Sequence, residues 1–152
     1  MKIITSVAFI LLSVLISSAR DLAEECEDIK DVSTVSINQA MLKLISFPDK
    51  GSNPIDLDAI SSRLDKVQII SADEPAPSTT VKNIVRNYLN SQPRFERTMK
   101  MKDGDESVQM YMRKLPDGKN EFVVLVEDTP DITVVVLQGS ISMEELANVT
   151  DL

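Results

Sequence analysis

The sequence predicts an α+β fold: a mainly antiparallel sheet of about five or six strands, with three or four helices packed largely on one face and a C-terminal four-strand meander. Three observations predict it. From Phe95 onward, apolar and polar residues alternate with a period of two, interrupted by Asp-Gly turn signals. Before that point, apolar residues recur at helical spacing between short β-branched runs. The last two such runs, 122–126 and 132–137, are apolar at nearly every position, which places them centrally in a sheet covered on at least part of both faces.

Taken in order, residues 1–19 read as a signal peptide. Lys2 supplies a positive start, an apolar stretch runs from Ile3 to Ile16, and Ser17-Ser18-Ala19 places small residues at a cleavage site. The apolar run is about 14 residues, short of the ~20 that span a bilayer, and no basic stop-transfer cluster follows it. Cleavage after Ala19 removes Lys2 and leaves the exported chain one unit more negative.

Residues 20–31 form an acidic, flexible leader in this reading, and 32–152 a single α+β domain. Cys26 sits in the leader among Glu24, Glu25, Glu27 and Asp28. The expectation is a free surface thiol whose pKa the carboxylates raise, and these charged neighbours argue against lipidation.

Within the domain, 32–37 alternates β-branched residues with Ser and predicts a strand, and Met41, Leu42, Leu44 and Ile45 make a helix-like cluster. Residues 47–54 are rich in turn formers. Leu57, Ile60 and Leu64 mark an amphipathic helix over 56–66, and 67–70 reads as a strand. The clearest helix covers 78–89, with Val81, Ile84, Val85, Tyr88 and Leu89 inward and Ser78 or Thr79 as N-cap. Four strands follow, with turns at Asp103-Gly104, at 116–119 and at 128–131. Ser142-Met143-Glu144-Glu145 is a capping box opening a short last helix, with Leu146 and Val149 inward.

Composition narrows the chemistry. The chain has 152 residues, 43% hydrophobic and 26% charged, the proportions of one globular domain. With 16 Lys and Arg against 24 Asp and Glu, the formal charge is −8, which disfavours non-specific nucleic-acid binding. There is no histidine, so His-based triads, Cys–His dyads and His-ligated zinc are excluded. A single cysteine excludes intramolecular disulfides. No Gly-x-Ser-x-Gly, Ser-x-x-Lys or phosphate-binding glycine loop occurs.

Several blocks together resemble a known family. They are Val35-Ser36-Ile37-Asn38-Gln39-Ala40-Met41-Leu42, Leu64-Asp65-Lys66-Val67-Gln68-Ile69-Ile70-Ser71, a charged hairpin, Glu121-Phe122-Val123-Val124-Leu125-Val126-Glu127, and the run from Val134 to Leu146. In this order they are similar to the family catalogued as domain of unknown function 4252, small secreted proteins of Bacteroidetes-type bacteria. The resemblance spans about Val35 to Val149 and implies export and an α+β domain, with no catalytic residues to carry over.

Three groups of residues are candidates for function. Lys100, Lys102, Arg113 and Lys114 form a basic patch on the hairpin that suits an anionic partner surface, or that guards an exposed sheet edge. Met99, Met101, Met110 and Met112 share one face and could bind Cu(I), or simply fill the core. Carboxylates cluster at Asp103, Asp105 and Glu106, at Asp56 and Asp58, and at Glu127, Asp128 and Asp131. Turn and cap duty accounts for them better than catalysis or calcium binding. The resulting expectation is an exported, non-enzymatic module without a cofactor that binds a protein or another component of the periplasm or cell envelope. A carboxylate or Ser–Lys enzyme and a Met-rich copper protein are the alternatives.

Overall fold

A computed structural model describes residues 21–44 and 60–149. The expected signal peptide, the turn-rich stretch 47–54, Asp56 and Asp58 lie outside the described residues, as does the side chain of Val149. Six strands form one antiparallel sheet: β1 (Val32–Asn38), β2 (Leu64–Ala72), β3 (Glu96–Asp103), β4 (Glu106–Lys114), β5 (Asn120–Asp128) and β6 (Asp131–Gly139). Their spatial order is β1-β2-β6-β5-β4-β3, so the meander β3–β6 is consecutive and the early pair β1–β2 docks on its last strand. Four helices accompany them among the described residues: α1 (Leu22–Cys26), α2 (Gln39–Leu42), α3 (Pro75–Leu89) and α4 (Met143–Val149).

Strand periodicity sorts the core into two halves. On one face, Ile70, Val123, Leu125, Val134 and Val136 pack against Leu22 and Cys26 of α1 and Val81 and Val85 of α3. On the other, Val67, Met110, Phe122, Val124, Val135 and Leu137 pack against Leu42 of α2, Ile60, Ile141 and Leu146 of α4. The central strands β5 and β6 are thus covered on both sides, as their unbroken apolar runs predict. The larger helical cover, α1 with the 15-residue α3, lies on one face, and the short α2 and α4 close the other. Each fully buried Val, Leu or Phe contributes roughly 1.5–3 kcal/mol.

The local signals at the C-terminal end behave as their chemistry dictates. Ser142 Oγ accepts from Glu145 N at 3.1 Å and Glu145 Oε2 accepts from Ser142 N at 2.8 Å, the reciprocal pair of a capping box. Asn38 caps α2 through Oδ1, which accepts from Met41 N at 3.1 Å.

Five expectations are corrected. The acidic stretch 20–31 is not a flexible leader over its described part: Leu22 and Cys26 are fully buried beneath α3, while Glu24, Glu25, Glu27 and Asp28 stay exposed. The spacing Leu22–Ala23–Cys26 is one apolar stripe of a helical turn, masked in the sequence by the surrounding charge. Cys26 is free but not a surface thiol, and burial first, then Glu25, pushes its pKa up to about 11. The helix expected over 56–66 does not reach its end. Ser61–Arg63 is a 3-10 turn and Leu64 already belongs to β2, because pairing with both β1 and β6 outweighs the helical period. Helix α3 starts a turn earlier than Ser78, with Pro75 in its first turn, where proline has no intrahelical partner to lose. Ser78 and Thr79 therefore lie inside the helix, and the Thr79 hydroxyl donates back to Pro75 O at 2.9 Å. The first hairpin pairs Asp103 with Glu106, so Gly104-Asp105 is its central pair, with Gly104 at φ 58°.

One backbone approach is tight. A Cβ on Gly139 would run into Arg63 O and lie 2.8 Å from the Leu64 Cα, where the β2–β6 ladder slips register between Leu64 and Lys66. Ser140 N donates to Arg63 O at 3.0 Å and holds this crossing closed. Gly139→Ala is expected to destabilise the fold by roughly 1–3 kcal/mol in urea unfolding, since backbone must move to admit the methyl. Gly104→Ala, with open space around its Cβ, meets only the cost of its positive φ.

Candidate functional site

A row of polar residues crosses the sheet on the α1–α3 face. Successive strand registers place Lys66 of β2 beside Gln138 of β6, Gln138 beside Glu121 of β5, and Glu121 beside Arg113 of β4. Glu121 is fully buried, and a charge there is tolerable only if paired and hydrogen-bonded. It meets both conditions. Arg113 Nη2 lies 2.7 Å from Glu121 Oε1, Tyr88 of α3 donates its hydroxyl to the same oxygen at 2.9 Å, and Gln138 Nε2 donates to Oε2.

Arg113 is held as firmly as its partner. Its guanidinium lies over the rings of Phe95, 4.3 Å from the centroid, and Tyr88, 5.1 Å away. It also donates to Pro93 O at 3.2 Å, Ser91 Oγ at 3.3 Å and Tyr88 Oη at 3.3 Å. Burial, with the Glu121 carboxylate beside it, raises the Tyr88 pKa, so this phenol stays protonated and donating. At the far end of the row Lys66 pairs with Asp21, the residue before α1. The row therefore fastens α1 and α3 to the sheet, and its charges are directed at one another rather than at solvent.

The basic patch read from the sequence is rearranged accordingly. Arg113 is removed from it by the Glu121 pair. Lys114 is exposed but points to the opposite face from Arg113, as strand parity requires. Lys100 and Lys102 remain exposed on edge strand β3, opposite Gln109 and Ser107 of β4. They share that α3 face with Arg97, whose Nη1 donates to Gln109 Oε1 at 3.4 Å.

Beside them, α3 stands off the β4 surface and leaves a groove of about 170 Å³ lined by Lys82, Arg86, Leu89, Gln109 and Tyr111, among others. Lys82 is committed to Glu127 at 3.0 Å. Arg86 lines this groove, while Arg97, Lys100 and Lys102 lie outside its lining on the same face of the neighbouring strand β3, and none of the four forms an ion pair among the described residues. Sequence reasoning missed Arg86 because it lies on a helix, and only the tertiary packing of α3 brings it to the hairpin.

The remaining candidates separate cleanly. The four methionines do share a face, but Met110 is buried and Met99 and Met112 pack against the same core, leaving only Met101 largely exposed. Three of the four thioethers are committed to packing, which favours the core role over a copper site. A cleft of about 850 Å³ opens at the other end of the sheet around Asp31, Asp73, Glu74 and Asp131 at the start of α3. Among the described residues no three acidic or cysteine side chains come together to hold a metal ion. Of the expected carboxylate clusters, Asp103 and Glu106 face each other across a hairpin end, as do Asp128 and Asp131.

The class defined by this architecture is an α+β protein built on an open six-stranded antiparallel sheet, without a helix among the described residues long and apolar enough to cross a membrane. The family model described as Domain of unknown function (DUF4252) matches residues 26–149, and the chain belongs to that family. No curated protein and no solved structure matches the chain.

Removing the countercharge from Glu121 leaves a buried carboxylate unpaired. Arg113→Met is expected to cost about 3–5 kcal/mol in urea unfolding, whereas Arg113→Met combined with Glu121→Leu recovers most of the loss. Additive losses in the double variant would show that the two side chains do not act as a pair.

Proposed function

We propose that this protein is an exported, non-enzymatic binding module, and that its working surface is the groove between α3 and the β3–β4 hairpin. Its partner is an anionic, extended segment of another envelope component. The observation that carries this reading is the set of four cations without ion pairs among the described residues, Arg86 in the lining of a groove that includes Gln109 and Tyr111, and Arg97, Lys100 and Lys102 on the same face of the adjoining strand β3. In a chain of formal charge −8 the long-range field repels anions, so a local cationic rim must supply the attraction at short range. The tyrosine and glutamine floor adds an apolar ring face and hydrogen-bonding groups, the ordinary furniture of a recognition surface. The buried acid Glu121 supports binding over acid–base catalysis, because its oxygens are already occupied by Arg113, Tyr88 and Gln138. Export rests on Lys2, the apolar run after it and the small residues ending at Ala19.

Fluorescently labelled poly-L-glutamate is a suitable probe. Saturable binding to the mature chain is expected, weakening as salt rises, and at least tenfold weaker in the Arg86→Gln, Arg97→Gln, Lys100→Gln, Lys102→Gln variant. Lys114→Gln, on the opposite face, is expected to bind as the parent does. Equal affinity of parent and quadruple variant would overturn the assignment of the surface. Export has its own readout: N-terminal sequencing of protein recovered from the cell envelope is expected to begin at Arg20, and an envelope-free chain still beginning at Met1 rejects it.

A further inference from the structure

The two edges of the sheet are chemically unlike. The outer strand β3 carries Glu96, Arg97, Lys100, Lys102 and Asp103, the charged dressing that keeps an exposed edge from pairing with another strand. The other outer strand, β1, reads Val-Ser-Thr-Val-Ser-Ile-Asn and has no charged residue and no proline over its seven positions. Among the described residues no strand pairs with its outer edge. Three of the four large apolar side chains most exposed in the described residues collect at this end: Val35 on β1 at 48%, and Met41 and Leu44 just after it at 47% and 81%. An unguarded, uncharged edge beside apolar side chains has the composition of a strand-pairing surface.

We propose that β1 pairs antiparallel with β1 of a second copy, giving one continuous sheet with six strands from each chain. A second copy fits this edge better than an unrelated strand, for reasons of charge and symmetry. Two chains of formal charge −8 repel over most approaches, and β1 is the one strand where they can meet without opposing like charges. A two-fold axis through Val35 sets Val35 against its own copy, Ser33 against Ile37 and Thr34 against Ser36, so both faces of the new ladder are self-consistent. The dimer leaves both β3 edges, with their basic grooves, at the far ends of the joined sheet.

Sedimentation equilibrium of the mature chain, with Val35→Lys and Val35→Cys variants, tests the proposal. The parent is expected to sediment as a dimer. Val35→Lys, a half-exposed position, is expected to weaken association at least tenfold with its far-ultraviolet circular dichroism spectrum unchanged. A two-fold through residue 35 also makes a specific covalent demand. Mild oxidation of Val35→Cys is expected to give a disulfide-linked dimer, since directly opposed strand residues have suitable Cβ spacing, while Thr98→Cys on β3 stays monomeric under the same oxidation. The buried Cys26 does not compete. A parent that is monomeric at all concentrations, a Val35→Lys chain that dimerises as the parent does, or cross-linking equal at positions 35 and 98 would each overturn it. A monomeric parent that still pairs with a foreign strand would reassign the edge to another partner.

Discussion

Everything in this fold follows from the need to keep water away from both sides of β5 and β6. Phe122 to Leu125 and Val134 to Leu137 are buried without a break, so neither sheet face can be the solvated one. A meander alone cannot supply that cover. The chain before it does so, with α1 and α3 on one side and α2 with Ile60 on the other, and α4 completes the second side after β6. The early strands β1 and β2 belong to the same requirement, since β2 seals the otherwise open flank of β6 with eight paired positions.

Into this apolar frame the fold admits one charged row. Glu121 lies in register with Gln138 and Arg113, and the helix above contributes Tyr88. Such a pair is weak evidence for stability, because a hydrophobic substitute of similar volume often does as well. Its value here is positional. Tyr88 can reach Glu121 only when α3 lies at one height and rotation over the sheet, and the Arg113 guanidinium rests against both the Phe95 and the Tyr88 ring, which also meet each other. Greasy contacts between α3 and the valines of β6 would tolerate sliding, and the polar row does not.

Much of the architecture was legible in the sequence for physical reasons. The period-two pattern after Phe95 and the Ser142–Glu145 capping box are local signals, and each specifies the structure it accompanies, while the Asp103-Gly104 signal marks its hairpin but not the central pair, which is Gly104-Asp105. The first half was read less well where two signals competed. Around Leu64 a helical stripe overlapped a β-branched run, and only the long-range pairing with β1 and β6 decided in favour of the strand. At Cys26 the surrounding carboxylates hid a three-residue apolar stripe that docks under α3. The candidate site was legible in part. Lys100 and Lys102 sit where the hairpin reading put them, and the alternation of β4 already set Arg113 and Lys114 on opposite faces. That Glu121 would claim Arg113, and that Arg86 would join the groove, depend on contacts between residues far apart in sequence.

The docking of β2 against β6 has a kinetic corollary. The ladders of the meander close turns of only a few residues, whereas the β2–β6 seam joins segments separated by residues 73–130 and carries α3 between them. Loop-closure entropy opposes contacts of long sequence separation until something else has shortened the loop. The meander does that shortening, since its consecutive hairpins draw β6 toward β3 and leave one prepared edge for β2 to join. Arg113 and Glu121 are both in the meander, so the ion pair can assemble with it, and Tyr88 then reports the arrival of α3. Chain order and spatial order differ at this one seam, which closes the longest loop of any ladder in the sheet.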